Sequence, residues 1–284
     1  MTKVKIGIVG HGFVGQATDF GFSTSTEKFI VDPKYKTNLD NLQEFSPEFI
    51  FICLPTPMLD DGSQDVSLVE ENLLDINARF KKATLILKST ILPSFFKKNK
   101  SNLKNVVYNP EFLREKYANE DFINSKMIIL AGDQSLSKKV ADLYEYNSKC
   151  KYKNFLFTDF MSASLVKYSI NSFLATKVLF FNQIKDIFET FEGNSSWDEF
   201  TNMISQDVRI GQSHMSVPGP DGKKGFGGAC FTKDTAALLK YSQEIHKDFK
   251  LLDEVIKLNN SIRSNYDSLD DREKDQNVNY EFNK

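Results

Sequence analysis

The sequence predicts an α/β fold in which a doubly wound parallel sheet precedes an all-helical domain, the two joined by a long connecting helix. Three observations carry this. A run rich in Val and Ile, Lys3 to Val9, enters the glycine turn Gly10-His11-Gly12-Phe13-Val14-Gly15, and the next apolar run closes on an acid, Phe29-Ile30-Val31-Asp32. Four more apolar runs recur between helical stretches, at Phe49 to Leu54, Thr84 to Leu87, Asn105 to Tyr108 and Met127 to Ala131. From Phe160 to Phe191 the texture changes to a periodic segment without proline or glycine. Strands alternating with helices imply a parallel sheet, and the unbroken segment reads as one helix of unusual length.

Taken in order, the first strand, turn and second strand form a βαβ start of Rossmann type. GxGxxG alone is a weak signal, but here a strand precedes it and an acid ends the following strand. Gly10 permits the tight turn, Gly12 lets a pyrophosphate approach the backbone, and Gly15 lets helix and strand pack; Phe13 and Val14 sit at the helix N-terminus that faces the phosphate charge. Asp32 would accept hydrogen bonds from a ribose and repel a 2′-phosphate, so the expected cofactor is NAD and not NADP. The plainer alternative for Asp32 is a cap on the loop that follows. Cys53 lies within a strand and reads as core.

Length and composition bound the rest. A chain of 284 residues accommodates about two domains. The expected division is an NAD-binding domain over 1–158, a helical domain over 159–268 that includes the stretch Leu251 to Arg263, and a polar, fraying tail over 269–284. A formal charge of −2 gives no electrostatic footprint for nucleic acid or an anionic membrane. The three cysteines are an odd number set far apart, which is no disulfide framework and points to a reducing cytoplasm. The N-terminus runs straight into a strand without the apolar core of a signal peptide, and no apolar run is long enough to span a bilayer. No metal site is assigned, and the 25 phenylalanines supply core volume.

Ligands bind at the carboxyl ends of parallel strands in such sheets. Those positions hold Leu54-Pro55-Thr56-Pro57, Lys88-Ser89-Thr90-Ile91-Leu92-Pro93 and Asn109-Pro110-Glu111-Phe112-Leu113-Arg114-Glu115. Glu111 and Glu115 are spaced to share one helical face, as are Lys167 and Asn171 in the long helix. Near the other end lies Gly225-Phe226-Gly227-Gly228-Ala229-Cys230-Phe231-Thr232-Lys233-Asp234. A thiol leaving a glycine turn and entering a helix, read over Thr235 to Glu244, meets aligned peptide dipoles that favour its thiolate. An isolated cysteine is more often a small buried apolar residue; its company decides otherwise.

In this order the motifs resemble the UDP-glucose/GDP-mannose dehydrogenase family, and within it the UDP-glucose dehydrogenases. The glycine fingerprint, the Thr-Pro loop, Lys88-Ser89-Thr90, Asn109-Pro110-Glu111-Phe112-Leu113, Lys167 with Asn171, Asp207-Val208-Arg209-Ile210-Gly211 and the cysteine loop follow the family's order to about Arg263. The resemblance implies oxidation of a nucleotide sugar's primary alcohol to a carboxylate, by two hydride transfers to NAD. Cys230 would be the nucleophile, Lys167 and Asn171 would stabilise the oxyanion, and Asp234 would hold water or move a proton. Glu111 or Glu115 would be the base for thioester hydrolysis, and Thr90 would position water and nicotinamide. Thr56, Thr90 and Glu115 would also contact the cofactor. Phe112, Leu113, Lys167, Asn171 and Gly227 would contact the substrate. Arg209 would be offered across a homodimer interface in the helical domain, and His214 would reach sugar or phosphate.

Two departures accompany the resemblance. Thr232 stands where the family usually has proline, a change expected to loosen the turn without removing a reacting group. Asp234 is followed by too few residues for another α/β unit of ordinary size, so the third domain that the resemblance implies, which would hold much of the nucleotide, is not expected within these residues. A shorter dehydrogenase of the β-hydroxyacid type would also use Lys167 and Asn171, but has no need of the cysteine loop. A catalytically silent NAD-binding protein is the alternative from another class.

Overall fold

The computed structural model describes residues 3–22 and 26–283. In chain order its elements are β1 (Val4–Val9), α1 (Phe13–Gly21), β2 (Thr26–Val31), α2 (Leu39–Phe45), β3 (Phe49–Ile52), α3 (Ser67–Arg79), β4 (Thr84–Leu87), α4 (Pro93–Lys98), β5 (Val106–Tyr108), α5 (Ala118–Asn124), β6 (Ile128–Gly132), α6 (Gln134–Asn147), β7 (Phe155–Thr158), α7 (Phe160–Phe188), α8 (Trp197–Ser205), α9 (Ala229–Glu244), α10 (Lys250–Arg263) and α11 (Asp271–Asp275). The chain divides into two compact units, Met1–Thr56 with Asp65–Lys167, and Pro57–Gln64 with Tyr168–Lys284. The division falls within α7, directly after Lys167.

The first unit is built on one seven-stranded sheet of order β2-β1-β3-β4-β5-β6-β7. The central strands β3, β4 and β5 are buried at every residue because both faces are covered. In β3, Ile50 and Ile52 enter one core cluster while Phe49 and Phe51 enter the other. Leu85 and Leu87 of β4 divide from Ile86 in the same way. The chain leaves β1 for β2 on one side and returns to β3 on the other, so the topological switch lies between the ends of β1 and β3.

The expectation of a wholly parallel sheet needs one correction. β6 pairs antiparallel with β5, and β7, absent from the sequence reading, runs parallel to β6. The β5–β6 connection holds the 3₁₀ turn Glu115–Tyr117 and α5, and α5 packs against α1, with Phe122 lying where a Cβ on Gly21 would fall.

The second unit is helical. Ala175 and Leu179 of α7 pack with Phe226 and with Val255 of α10, and Phe181 packs with Trp197, Met215 and Val217. The stretch from Asp270 onward does not fray as its polarity predicts. Glu273, Val278 and Tyr280 are buried, and the Gln276 carbonyl accepts the Met58 amide at 2.9 Å. Its anchor is a buried ion pair, which an apolar-pattern reading does not register. Among the described residues no helix is long and apolar enough to cross a membrane.

Candidate active site

The glycine turn is held by β1, β2 and β3 together. The Gly10 amide donates to the Val31 carbonyl at 2.9 Å, and the Cys53 amide to the Val9 carbonyl at 2.8 Å. Gly10 has φ 86°, and a Cβ there would lie 2.7 Å from the Cys53 carbonyl oxygen. At Gly15 a Cβ would lie 2.1 Å from the Gly10 oxygen, so glycine is demanded by packing. Gly12 is different: its conformation is extended, and a Cβ there would meet nothing within 4 Å. Glycine at position 12 keeps a space clear that the protein itself does not fill. That space adjoins the start of α1, where Phe13 and Val14 lie and where no side chain caps the helix. A backbone end of this kind suits a pyrophosphate.

The cap expected as the plainer reading of Asp32 is formed. Its carboxylate accepts from the His11 amide at 2.7 Å and the Lys34 amide at 2.9 Å, capping the short 3₁₀ turn Pro33–Tyr35. The first of these bonds ties the acid to the glycine turn, and its side chain is partly exposed.

Beyond the other strands, Thr56 and Thr90 are buried, and the Thr56 hydroxyl donates to the Thr90 carbonyl at 3.2 Å. Glu111 accepts from the Leu113 amide at 2.6 Å and from Lys167 Nζ at 3.2 Å, with side-chain exposures of 6% and 3% for the acid and the lysine. The Lys167 ammonium also lies 5.3 Å from the Phe112 ring centroid. The shared helical face expected for Glu111 and Glu115 is not formed. Residues 109–114 form no helix; Pro110 lacks an amide donor and the Arg114 amide is taken by Asp121 at 2.8 Å. Glu115 begins the 3₁₀ turn Glu115–Tyr117 and is exposed. Lys88, which the sequence reading left without a role, is buried and donates to Asn109 Oδ1 at 2.9 Å; burial pushes its ammonium below its ordinary pKa. A buried cation directly after a strand is the signal that marked it.

In the second unit Gly228, with φ 77°, is the N-cap of α9, so Cys230 is the second residue of that helix. The helix begins six residues before the sequence pattern placed it, because its first turn is made of the motif itself. The Thr232 hydroxyl donates to the Gly228 carbonyl at 3.2 Å within the first turn of α9. Asp234, one turn after Cys230, is buried, accepts from Asn171 Nδ2 at 2.6 Å and pairs with Lys233 Nζ at 2.5 Å. The three thiols are not equivalent. Burial pushes Cys53 up to about 12 and raises Cys150, whereas Cys230 alone is only partly buried. Arg209 is exposed and folds onto Asp207, and the His214 ring lies 5.4 Å from that of Phe231.

The buried amides Asn182 and Asn259 were missed by the sequence reading. They accept the Gly225 and Phe226 amides at 2.9 and 2.7 Å and so shape the cysteine loop. A polar amide on the core face of an amphipathic helix is the signal that identifies such residues.

Comparison with known proteins agrees with this geometry. Residues 34–148 match the UDP-glucose/GDP-mannose dehydrogenase family, NAD binding domain, and residues 161–261 match the central domain of the same family. The chain is 36% identical over 241 residues to a UDP-glucose 6-dehydrogenase of Rickettsia felis, covering 81% of this chain and 51% of that protein. It is 31% identical over 271 residues to a UDP-glucose 6-dehydrogenase of Campylobacter jejuni, covering 83% of this chain and 67% of that one. A UDP-glucose dehydrogenase structure from Pyrobaculum islandicum shares the fold, with TM-score 0.74 and 23% identity, over 92% of this chain and 68% of that one. The chain thus spans about half the length of several of the curated relatives it matches.

Proposed function

This chain belongs to the UDP-glucose/GDP-mannose dehydrogenase family, and on that premise we propose that it oxidises the primary alcohol of a nucleotide sugar, UDP-glucose first among them, to the carboxylate. Cys230 carries the reading: it is the one cysteine not buried, it occupies the second position of a helix entered from a glycine loop, and Asp234 follows one turn later. Alignment of the first peptide dipoles favours a thiolate at such a position.

NAD, when bound, accepts the hydride in each of the two oxidations. Gly10, Gly12, Gly15 and Asp32 would hold it, with Thr56 and Thr90 beside the strand ends. The first oxidation leaves an aldehyde, which lacks the tetrahedral carbon that a second hydride must leave. Cys230 Sγ adds to that carbon, and the carbonyl oxygen becomes the alkoxide of a thiohemiacetal. The Lys167 ammonium and the Asn171 amide would stabilise this oxygen. Departure of the second hydride re-forms the carbonyl as a thioester. Water then cleaves the C–S bond, releasing the acid and returning the thiolate. Glu111, buried against Lys167, suits the base that takes the proton from this water better than the exposed Glu115. Asp234, held by Asn171 and Lys233, would position the water or pass the proton.

We further propose that the protein acts as a homodimer. Phe173, Phe180 and Ile187 recur every seven residues on α7 and are 67%, 56% and 54% exposed. Such a stripe on a helix matches a partner helix. A screen of UDP-glucose, GDP-mannose and related nucleotide sugars for NADH production tests the activity. Two NADH per substrate supports the thioester route. One NADH would favour the simple dehydrogenase, and NAD binding without turnover would favour the silent protein.

A further inference from the structure

We propose that Glu273, on the short helix α11, is a positioning residue for Cys230. This role rests on the nucleophile reading of Cys230 and names the group that holds its loop. Three backbone amides of the loop are each claimed by a buried side chain from a different helix. Gly225 donates to Asn182 of α7, Phe226 to Asn259 of α10, and Gly228 to Glu273 Oε1 at 2.9 Å. The Gly228 contact is the nearest of the three to the thiol in sequence. It falls on the N-cap residue of α9, where no side chain supplies a cap and φ is 77°.

The acid is itself fixed from several sides. Glu273 Oε1 also accepts from Tyr280 Oη at 2.6 Å and from Arg263 Nη2 at 3.2 Å, and Oε2 accepts from the Asp270 amide at 2.9 Å. Arg263 and Glu273 side chains are each 1% exposed, and Arg263 Nη1 reaches Asp221 at 2.7 Å. The guanidinium forms the floor of the loop: a Cβ on Gly227 would lie 2.0 Å from Arg263 Nη2. The loop therefore rests on a cation that Glu273 holds, and its last amide before α9 is aimed by the same carboxylate oxygen. Nothing in the polar sequence around position 273 marks this, since all five residues of α11 are charged and the helix has no apolar face.

The test separates reach from charge. Glu273→Gln keeps the length and an acceptor oxygen for the Gly228 amide, Glu273→Asp keeps the charge and shortens the reach, and Glu273→Ala removes both. Each full-length variant, confirmed folded by near-UV circular dichroism, is treated with iodoacetamide at neutral pH, and modification of Cys230 is followed by peptide mass mapping. In the unsubstituted protein Cys230 is expected to react faster than the buried Cys53 and Cys150; equal rates would overturn the nucleophile reading itself, and the positioning role with it. Given that enhancement, Glu273→Asp is expected to slow Cys230 alkylation by about tenfold or more while Glu273→Gln stays within about threefold. The kcat of acid formation should follow the same order, with KM for NAD unchanged. An Asp variant that reacts like the original, or a Gln variant as slow as Asp, overturns the proposal. The Asp and Gln pair decides the matter even where Glu273→Ala does not fold.

Discussion

Replacing Gly12 with alanine separates what the glycine turn does for the protein from what it does for the cofactor. The added methyl meets no atom within 4 Å, and the backbone at Gly12 (φ −69°, ψ −167°) is open to any residue. Alanine is a poorer N-cap than glycine by several tenths of a kcal/mol. It also restricts the unfolded chain, which returns about 0.4–1 kcal/mol. Folding stability should therefore change by no more than about 0.5 kcal/mol, or a shift in Tm of roughly 2 °C. The methyl nevertheless enters the space beside the start of α1 assigned to the pyrophosphate. NAD should bind at least about tenfold more weakly, equivalent to about 1.4 kcal/mol. Gly15→Ala is the control, because its methyl would lie 2.1 Å from the Gly10 oxygen and must displace backbone. That variant should lose about 1–3 kcal/mol of stability through overpacking. Calorimetric titration with NAD and thermal unfolding read the two quantities independently. Unchanged NAD affinity in a folded Gly12→Ala protein would refute the placement of the pyrophosphate at this turn.

Cys230→Ser should leave NAD affinity near normal and stop the reaction before acid forms; full acid production, followed by chromatography, would remove the covalent step. Asp32→Ala should weaken NAD binding and also cost about 1 kcal/mol in urea unfolding, because the carboxylate caps Lys34 and holds the His11 amide. Phe173→Glu combined with Phe180→Glu should yield a monomer by light scattering, and a persisting dimer would place the interface elsewhere. Burial opposes ionisation of Glu273, but hydrogen bonds from Tyr280 and from the Asp270 and Gly228 amides, with the Arg263 charge, hold its carboxyl below the ordinary 4.5. A depressed folded value stabilises above the unfolded one and is lost as pH falls through it. The stability difference between the protein and Glu273→Gln should therefore be full at neutral pH and shrink as pH drops below about 4.5. A difference independent of pH would show that the acid is not ionised in the folded protein.

Much of the first unit was legible because its signals are local. Apolar runs name β1 to β6, and a strand, glycines and an acid name the glycine turn. The reversal at β6 was not legible, since strand direction depends on whether the intervening segment crosses the sheet. Periodicity cannot distinguish the α5 that packs on α1 from a crossover helix. β7 escaped because Leu156 and Phe157 are exposed at the sheet edge, so the run carries no buried alternation. The Glu111 and Glu115 spacing misled for a related reason: a four-residue interval implies a shared face only where the backbone is helical, and residues 109–114 are not, the Arg114 amide being bonded to Asp121.

The order of residue types by itself determined the α/β class, the glycine turn closing on Asp32, the long helix that carries Lys167 and Asn171, and the glycine loop before Cys230, because each is a short-range pattern tied to one backbone conformation. Only the tertiary structure decided which thiol is accessible, which acid lies buried against Lys167, and that Arg263 and Glu273 support the loop before Cys230. Those facts are matters of burial and of ion pairing between separate helices. Such contacts arise only when the chain closes on itself, and a linear string of residues does not encode them by spacing.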